Sequence, residues 1–366
     1  AGVIIGDQAV ANITPIAKGA GDEPITQFPA GPCEALGLLK MDFLGLKTLT
    51  VIQDALDLVV KNGGPRIDSN DIPLDDQPTY DLLNQGSTIA VFQLESTGMQ
   101  NLCRRFGVAR LEDIIALIAL YRPGPMKFLD EFIGRKTGAV PIDYDLPAMK
   151  PILEETYGIM LYQEQVMQVV RAVAGFSLGN ADILRRAMGK KKIEVMLEQF
   201  AKFQEGCRAN NIPDATIQSI WEKILKFAEY GFNKSHSAAY ALLSYRTAWL
   251  KANYPTEFMA AVLTSELGNA EKLAFYLKEC HAMNINILPP DVNICDASFS
   301  ADGRNIRFGL AAVKNVGASA VTGIVKARAE AGKFTSLRDF CERVEGNNKK
   351  NLEYLIKAGA MDGFGL

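Results

Sequence analysis

The chain has 366 residues, 48% of them hydrophobic and 22% charged, a balance that excludes disordered, collagen-like and disulfide-scaffold proteins and provides for two or three domains with sizeable cores. Its six cysteines (Cys33, Cys103, Cys207, Cys280, Cys295 and Cys341) show no CxxC spacing or Cys/His pairing, which argues against a zinc site, and no apolar run approaches the ~18 residues of a membrane span. The net charge of -3 is polarised: residues 1–82 hold 5 Lys+Arg against 12 Asp+Glu, residues 83–302 hold 23 against 24, and residues 303–366 hold 11 against 6. An acidic head is able to hold divalent cations and a basic tail to hold phosphates.

The first residues lack the basic and apolar regions of a secretory signal, so a reduced, cytoplasmic protein is expected. The opening Ala1-Gly2, with no initiating Met, marks the chain as a piece of something longer. Residues 1–50 alternate short apolar runs with Gly, Pro and Asp, the habit of a small sheet with loops. In Leu38 to Leu44 the period of 2 places Leu38, Lys40, Asp42 and Leu44 on one face and Leu39, Met41 and Phe43 on the other. Leu49, Ile52, Leu56 and Val59 then mark a helix, with Thr50 and Gln53 as a capping box and Asn62-Gly63-Gly64-Pro65 as its end. From about 79 to 285 the pattern is helical almost throughout, plainly so in Ile159–Val173 and Ile217–Phe227. Leu288-Pro289-Pro290-Asp291 reads as a linker to a short strand-like region (Phe299, Ile306, Phe308) and a compact helical tail. The fold is therefore mainly α, with a small mixed α/β portion at the N-terminus.

Four features stand out chemically. Asp42 is a carboxylate on a largely apolar strand beside Lys40, stable only if paired or bound to a metal. The plain reading is an ion pair; the functional one is a ligand for Mg²⁺, which needs several hard oxygens. Asp143-Tyr144-Asp145 reads as a short acidic turn rather than as a second ligand pair. In Leu184–Lys192, Arg185, Arg186, Lys190, Lys191 and Lys192 make a cationic run, either a solvated face or a polyphosphate site. Tyr230–Tyr240 places Lys234, Ser235 and His236 at a helix start, where Ser235 or Ser237 caps the helix and Lys234 and His236 face an anion. In the tail, Gly309–Gly317 followed by Ala318–Arg328 reads as helix, tight hairpin, helix. Backbone N–H groups at Val316-Gly317 meet a DNA phosphate there, and Lys314, Lys326 and Arg328 are the flanking cations.

Lys40-Met41-Asp42-Phe43-Leu44-Gly45-Leu46, Phe92-Gln93-Leu94-Glu95-Ser96, Tyr121-Arg122-Pro123-Gly124-Pro125-Met126, Tyr157 to Met167, Leu184 to Lys192 and Tyr230 to Tyr240, in that order, resemble the C-family replicative DNA polymerases of bacteria, from end to end of the chain. The resemblance implies that residues 1–47 are the last part of a polymerase palm, 48–290 the fingers, and 291–366 a linker and a helix-hairpin-helix region gripping duplex DNA. It implies that Asp42 is the third metal carboxylate, with Lys40 its neighbour near the nucleotide phosphates. Arg185 and Arg186, with Lys190 in the same run, then hold the triphosphate, and Arg122, Gly124, Lys234, Ser235 and His236 line the nucleotide site. Two Mg²⁺ ions, a deoxynucleoside triphosphate and a primer-template DNA are the implied ligands of the parent, and a sliding clamp and other replisome subunits its partners, with no membrane. The family's first two carboxylates, in a P-D-x-D-x-D-F stretch, have no counterpart here, so the chain alone is expected to be inactive. The competing class is a noncatalytic nucleic-acid-binding or scaffold protein in which Asp42 is merely structural.

Overall fold

A computed structural model describes residues 2–19, 23–42, 45–189, 193–228 and 231–364, and the chain forms two compact units, 1–50 and 51–366. The first unit is small and β-rich. Strand β1 (Gly2–Ile5), the hairpin of β2 (Ile16–Lys18) and β3 (Pro24–Thr26), helix α1 (Ala30–Ala35) and strand β4 (Leu39–Asp42) follow in order. β1 and β4 pair antiparallel, with Gly2 opposite Asp42 and Ile4 opposite Lys40. The alternation expected of this strand is present: Leu38 is buried, whereas Leu39 and Met41 are exposed beside their cross-strand partners Ile5 and Val3.

Helix α2 (Lys47–Lys61) begins three residues before the expected capping box, so Thr50 and Gln53 lie inside it and cap nothing. Its buried stripe is Val51, Ile52, Ala55, Leu56 and Val59, and Leu49 faces solvent. The glycines do end it: Gly63 takes φ +87° and the Gly64 N–H donates to Val59 at 2.8 Å.

The second unit continues through α3 (Gln77–Asn84), α4 (Thr97–Phe106), α5 (Leu111–Leu120), α6 (Leu129–Lys136), α7 (Lys150–Leu153), α8 (Gln163–Ala174), α9 (Leu178–Gly189), α10 (Ile193–Ala209), α11 (Asp214–Ala228), α12 (Lys234–Asn253), α13 (Pro255–Ser265) and α14 (Ala270–Ala282). None of the described helices is long and apolar enough to cross a membrane. Two cores organise this region. In one, α12 packs on α3, α5 and α13, and α5 is buried along its length because Ile114 to Leu120 is apolar on every face. In the other, α8 to α11 enclose Val166, Val170, Leu184, Phe203 and Trp221. There a Cβ at Gly206 would lie 2.0 Å from the Ala174 carbonyl oxygen, so only glycine allows α10 to cross the end of α8 so closely.

The helix expected over Ile159–Val173 starts only at Gln163. Residues before it are extended because Tyr162 forms a parallel bridge with Phe232, and the Gln163 N–H donates to the Phe232 carbonyl at 2.8 Å. The tail carries a three-stranded sheet in the order β5 (Asn286–Leu288), β7 (Asn305–Arg307), β6 (Ser300–Asp302), followed by α15 (Ala318–Ala331), α16 (Leu337–Arg343) and α17 (Lys349–Lys357) around Val321, Ile324, Phe340 and Leu355. The first helix of the expected hairpin is reduced to a single 3-10 turn, Leu310–Ala312. Gly309 before it approaches the Ala297 carbonyl so closely that a Cβ would sit 2.7 Å away, and Asn315 after it turns the chain at φ +62°.

Lys251, 2% exposed, is the most buried cation of α12. Its ammonium donates to the carbonyls of Ser87 and Ile89, both at 2.8 Å, and to the Glu279 carboxylate at 2.6 Å, so all three protons are placed. Burial pushes its pKa down while Glu279 pulls it back up. Replacing Lys251 with Met leaves Glu279 and two carbonyls without a donor; the chain should lose about 3–5 kcal/mol of stability, read as a lower denaturant midpoint with an unchanged slope.

Candidate functional site

α9 owes its orientation to Ala181, Leu184, Ala187 and Met188, whose helical spacing buries one face and turns Arg185 and Arg186 outward. Asp182, one turn earlier, gathers both guanidiniums. Its Oδ1 accepts from Arg185 Nε at 2.9 Å and forms an ion pair with Arg185 Nη2 at 2.8 Å; its Oδ2 accepts from Arg186 Nε at 2.7 Å and from Arg186 Nη2. These bonds, Arg186 foremost, hold the Asp182 carboxyl below its ordinary range, so the fork stays closed at neutral pH. Each arginine turns the same edge to Asp182, and among the described residues nothing else takes up its Nη1 donors. A carboxylate of the same helix thus stands between the two guanidiniums. An acid three and four positions ahead of two arginines is visible in the sequence, and Asp182 was the readable residue missed there. Lys190 lies outside the described residues.

The start of α12 is built differently from expectation. Its cap is Asn233, whose Oδ1 accepts the His236 N–H at 2.9 Å. Neither serine caps it, because both fall inside the helix: Ser235 is exposed, and Ser237 donates back to the Lys234 carbonyl at 3.2 Å. The anion at this helix end is a side chain of the protein itself, since Glu164 accepts the Lys234 N–H through both oxygens at 3.2 and 3.0 Å. The Lys234 ammonium is likewise taken, by Glu155 at 2.6 Å and over the Tyr162 ring at 5.5 Å. Lys234 thus ties the segment before α8 to α12 instead of standing free to meet an external anion. Nothing local in the sequence links residues 155 and 164 to 234.

His236 remains exposed, on a ladder of rings. The Arg122 guanidinium lies 3.9 Å over Phe232, Phe232 meets His236 edge-on at 5.5 Å, His236 tilts on Tyr240 at 4.3 Å, and Tyr240 meets Phe92 at 5.4 Å. The structure so brings Arg122, Gly124 and His236 into one neighbourhood, across a loop and a helix far apart in sequence. Gly124 is required by its backbone, φ +112° and ψ -75°, which opens the 3-10 turn Pro125–Phe128.

Asp42 ends β4 opposite Gly2, and its side chain lies outside the described residues. Lys40 stands two residues before it, on the same face of the strand. Asp145 accepts from Ser219 at 3.0 Å and Lys223 at 2.5 Å, which fastens the Asp143–Asp145 turn to α11. Among the described residues no three His, Cys, Asp or Glu side chains gather to hold a metal, so they do not complete a magnesium site.

In the tail, Gly317 caps α15 without a side chain, Val316 is buried beneath the turn, and Lys314 is exposed on it. Lys326 and Arg328 do not flank the turn: eight or more residues into α15, they lie about 12 Å or more along the axis. Lys326 points to solvent 3.9 Å from Glu330. Arg328 is an internal brace, donating to the carbonyls of Val292 and Cys295 at 3.1 and 2.8 Å and to Asp296 at 2.6 Å.

Residues 48–211 match the bacterial DNA polymerase III alpha subunit finger domain, residues 284–366 a helix-hairpin-helix motif, and residues 1–45 the domain described as the bacterial DNA polymerase III alpha NTPase domain. The chain is 48% identical over 372 residues to the DNA polymerase III subunit alpha of Thermus aquaticus, and 49% identical over 367 residues to that of Chlamydia trachomatis. Each alignment takes in 100% of this chain and 30% of the relative. With the subunit of Pseudomonas aeruginosa the identity is 48% over 380 residues, again 100% of this chain and 32% of the relative. The chain therefore belongs to the family of bacterial DNA polymerase III alpha subunits, of whose length it spans about a third.

Proposed function

We propose that this chain is the nucleotide-receiving and duplex-gripping portion of a DNA-directed DNA polymerase, which in the whole protein adds deoxynucleotides to a primer 3′ end by phosphoryl transfer. The observation that carries this reading is the fork at Asp182: two guanidiniums held side by side on the solvent face of α9, each with donors left over. A planar pair of this kind suits a triphosphate better than a solvated surface does, because its geometry is fixed before the ligand arrives. The arginines grip and orient the phosphates and neutralise charge that grows as the chain of phosphates is cut. Arg122, Gly124, Lys190, Ser235 and His236 are proposed around the same nucleotide, with the His236 ring ladder offering an aromatic surface to a base. Lys234 serves by holding Glu155 and the first turn of α12 in place.

Asp42 is proposed as one oxygen ligand for Mg²⁺ in the complete enzyme, with Lys40 beside it; the remaining ligands are not among the described residues. The uncapped N–H groups after Gly317, with Lys314 on the turn, are proposed to meet a duplex phosphate without regard to base.

In the full-length parent, Arg185→Ala with Arg186→Ala should lower kcat/KM for the nucleotide by about 100-fold while primer-template affinity stays within about twofold. Steady-state incorporation and a DNA-binding titration measure the two; equal loss in both would place these arginines on the DNA track. Asp42→Asn in the same protein should abolish incorporation and leave the unfolding transition unchanged. Incorporation within a few-fold of the parent would favour the noncatalytic reading and make Asp42 a structural residue. Duplex binding by the 366-residue chain should weaken steeply as salt rises, and Lys314→Ala should flatten the log–log slope by about one without creating a preference among sequences. Arg328→Ala should instead reduce stability, because its carbonyl acceptors are internal.

A further inference from the structure

A cavity of about 300 Å³ lies between α6, α11 and the segment 158–161, and none of the chemistry above uses it. Its floor is apolar, with Leu120, Met149, Leu153, Leu161 and Phe227 all buried. Ionisable groups sit around it in balance: Arg135, Lys223 and Lys226 against Glu131, Asp143 and Asp145. Two pairs are closed, Arg135 with Glu131 at 2.7 Å and Lys223 with Asp145 at 2.5 Å. Lys226 has no hydrogen bond or ion pair with any described residue.

We propose that this cavity is a binding site for a small amphipathic monoanion, a ring-bearing carboxylate or sulfonate. Its rings take the place of water on the apolar floor, and its anionic end takes the charge of Lys226. A polyphosphate does not fit the same description, because the lining is neutral overall, with Glu131, Asp143 and Asp145 among its residues. The site is therefore distinct from the arginine fork in the charge it accepts. Two walls give it reach: Leu120, Pro125 and Phe128 belong to the turn that carries Arg122 and Gly124, and Gly158–Leu161 leads into the Tyr162 bridge to Phe232. A ligand seated there packs against the reverse side of both segments and restrains them. This inference does not depend on what binds at Arg185 and Arg186.

The test uses the 366-residue chain and the probe 8-anilinonaphthalene-1-sulfonate, followed by fluorescence. The expected result is saturable binding at one site, weakened about tenfold by Lys226→Glu, which reverses an exposed charge and leaves the floor intact. Met160→Trp, which fills the cavity, should abolish the bright complex; if that variant fails to fold, the Lys226→Glu comparison still decides. At saturation, amide exchange should slow in residues 121–128 and 158–161. Binding that is unchanged in Lys226→Glu, protection confined to other segments, absence of saturable binding by a chain with an intact unfolding transition, or displacement of the probe by deoxyadenosine triphosphate would each overturn the proposal.

Discussion

A helix buried along most of its second half, as α12 is from Leu243 to Lys251, must satisfy its own polar side chains inside the protein, and that constraint orders much of the second unit. Tyr245 donates to the Pro73 carbonyl at 2.8 Å and accepts the Asp76 N–H at 3.1 Å. Thr247 accepts the Phe92 N–H at 3.1 Å, and Lys251 holds the carbonyls of Ser87 and Ile89. Two surface loops are thereby fastened to one helix. The second of them includes Ala90 at φ +67° and Gln93 at φ +63°, conformations that side-chain-bearing residues adopt only when something else compensates. The compensation is the set of acceptors and donors on α12.

The same helix is held at its first turn by the segment before α8. Gln165 is buried, accepting the N–H groups of Leu161 and Tyr162 at 2.9 and 3.0 Å and donating to Thr156 at 2.7 Å. That network keeps residues 161–162 extended, which allows Tyr162 to bridge Phe232 and Glu164 to reach the Lys234 N–H. Fully satisfied buried networks of this sort fix one arrangement, because every alternative leaves a polar group dry and unpaired. Arg122 depends on it indirectly, since the Phe232 ring beneath its guanidinium is positioned by the bridge.

The phosphate grip proposed for α9 uses a local device instead. Asp182, Arg185 and Arg186 are neighbours on one helix, so their fork needs only the helix and its buried face. The tail is intermediate: Gly317 is placed by its own turn, but the compact body around it depends on Arg328 and on the close approach at Gly309.

What the amino-acid order determined by itself was local and periodic. The helices of the second unit, the alternation of Leu38 to Met41, the glycine stop after α2 and the basic run of α9 could be read from spacing and residue type, and the family from the resemblance that its motifs carry in order. Corrections fell where a distant partner outweighs local preference. Residues 159–162 carry helical periodicity, yet Phe232 pairs with them as a strand would. Lys234 looked like a free cation at a helix start, yet Glu155 and Glu164 meet it across 79 and 70 residues. Arg328 looked like a DNA contact, yet its acceptors lie 36 and 33 residues away in the chain. The physical reason is common to these cases: periodicity reports which face of a segment is apolar, whereas the partner of a charge is chosen by packing, and only the tertiary structure brings that partner within hydrogen-bond distance.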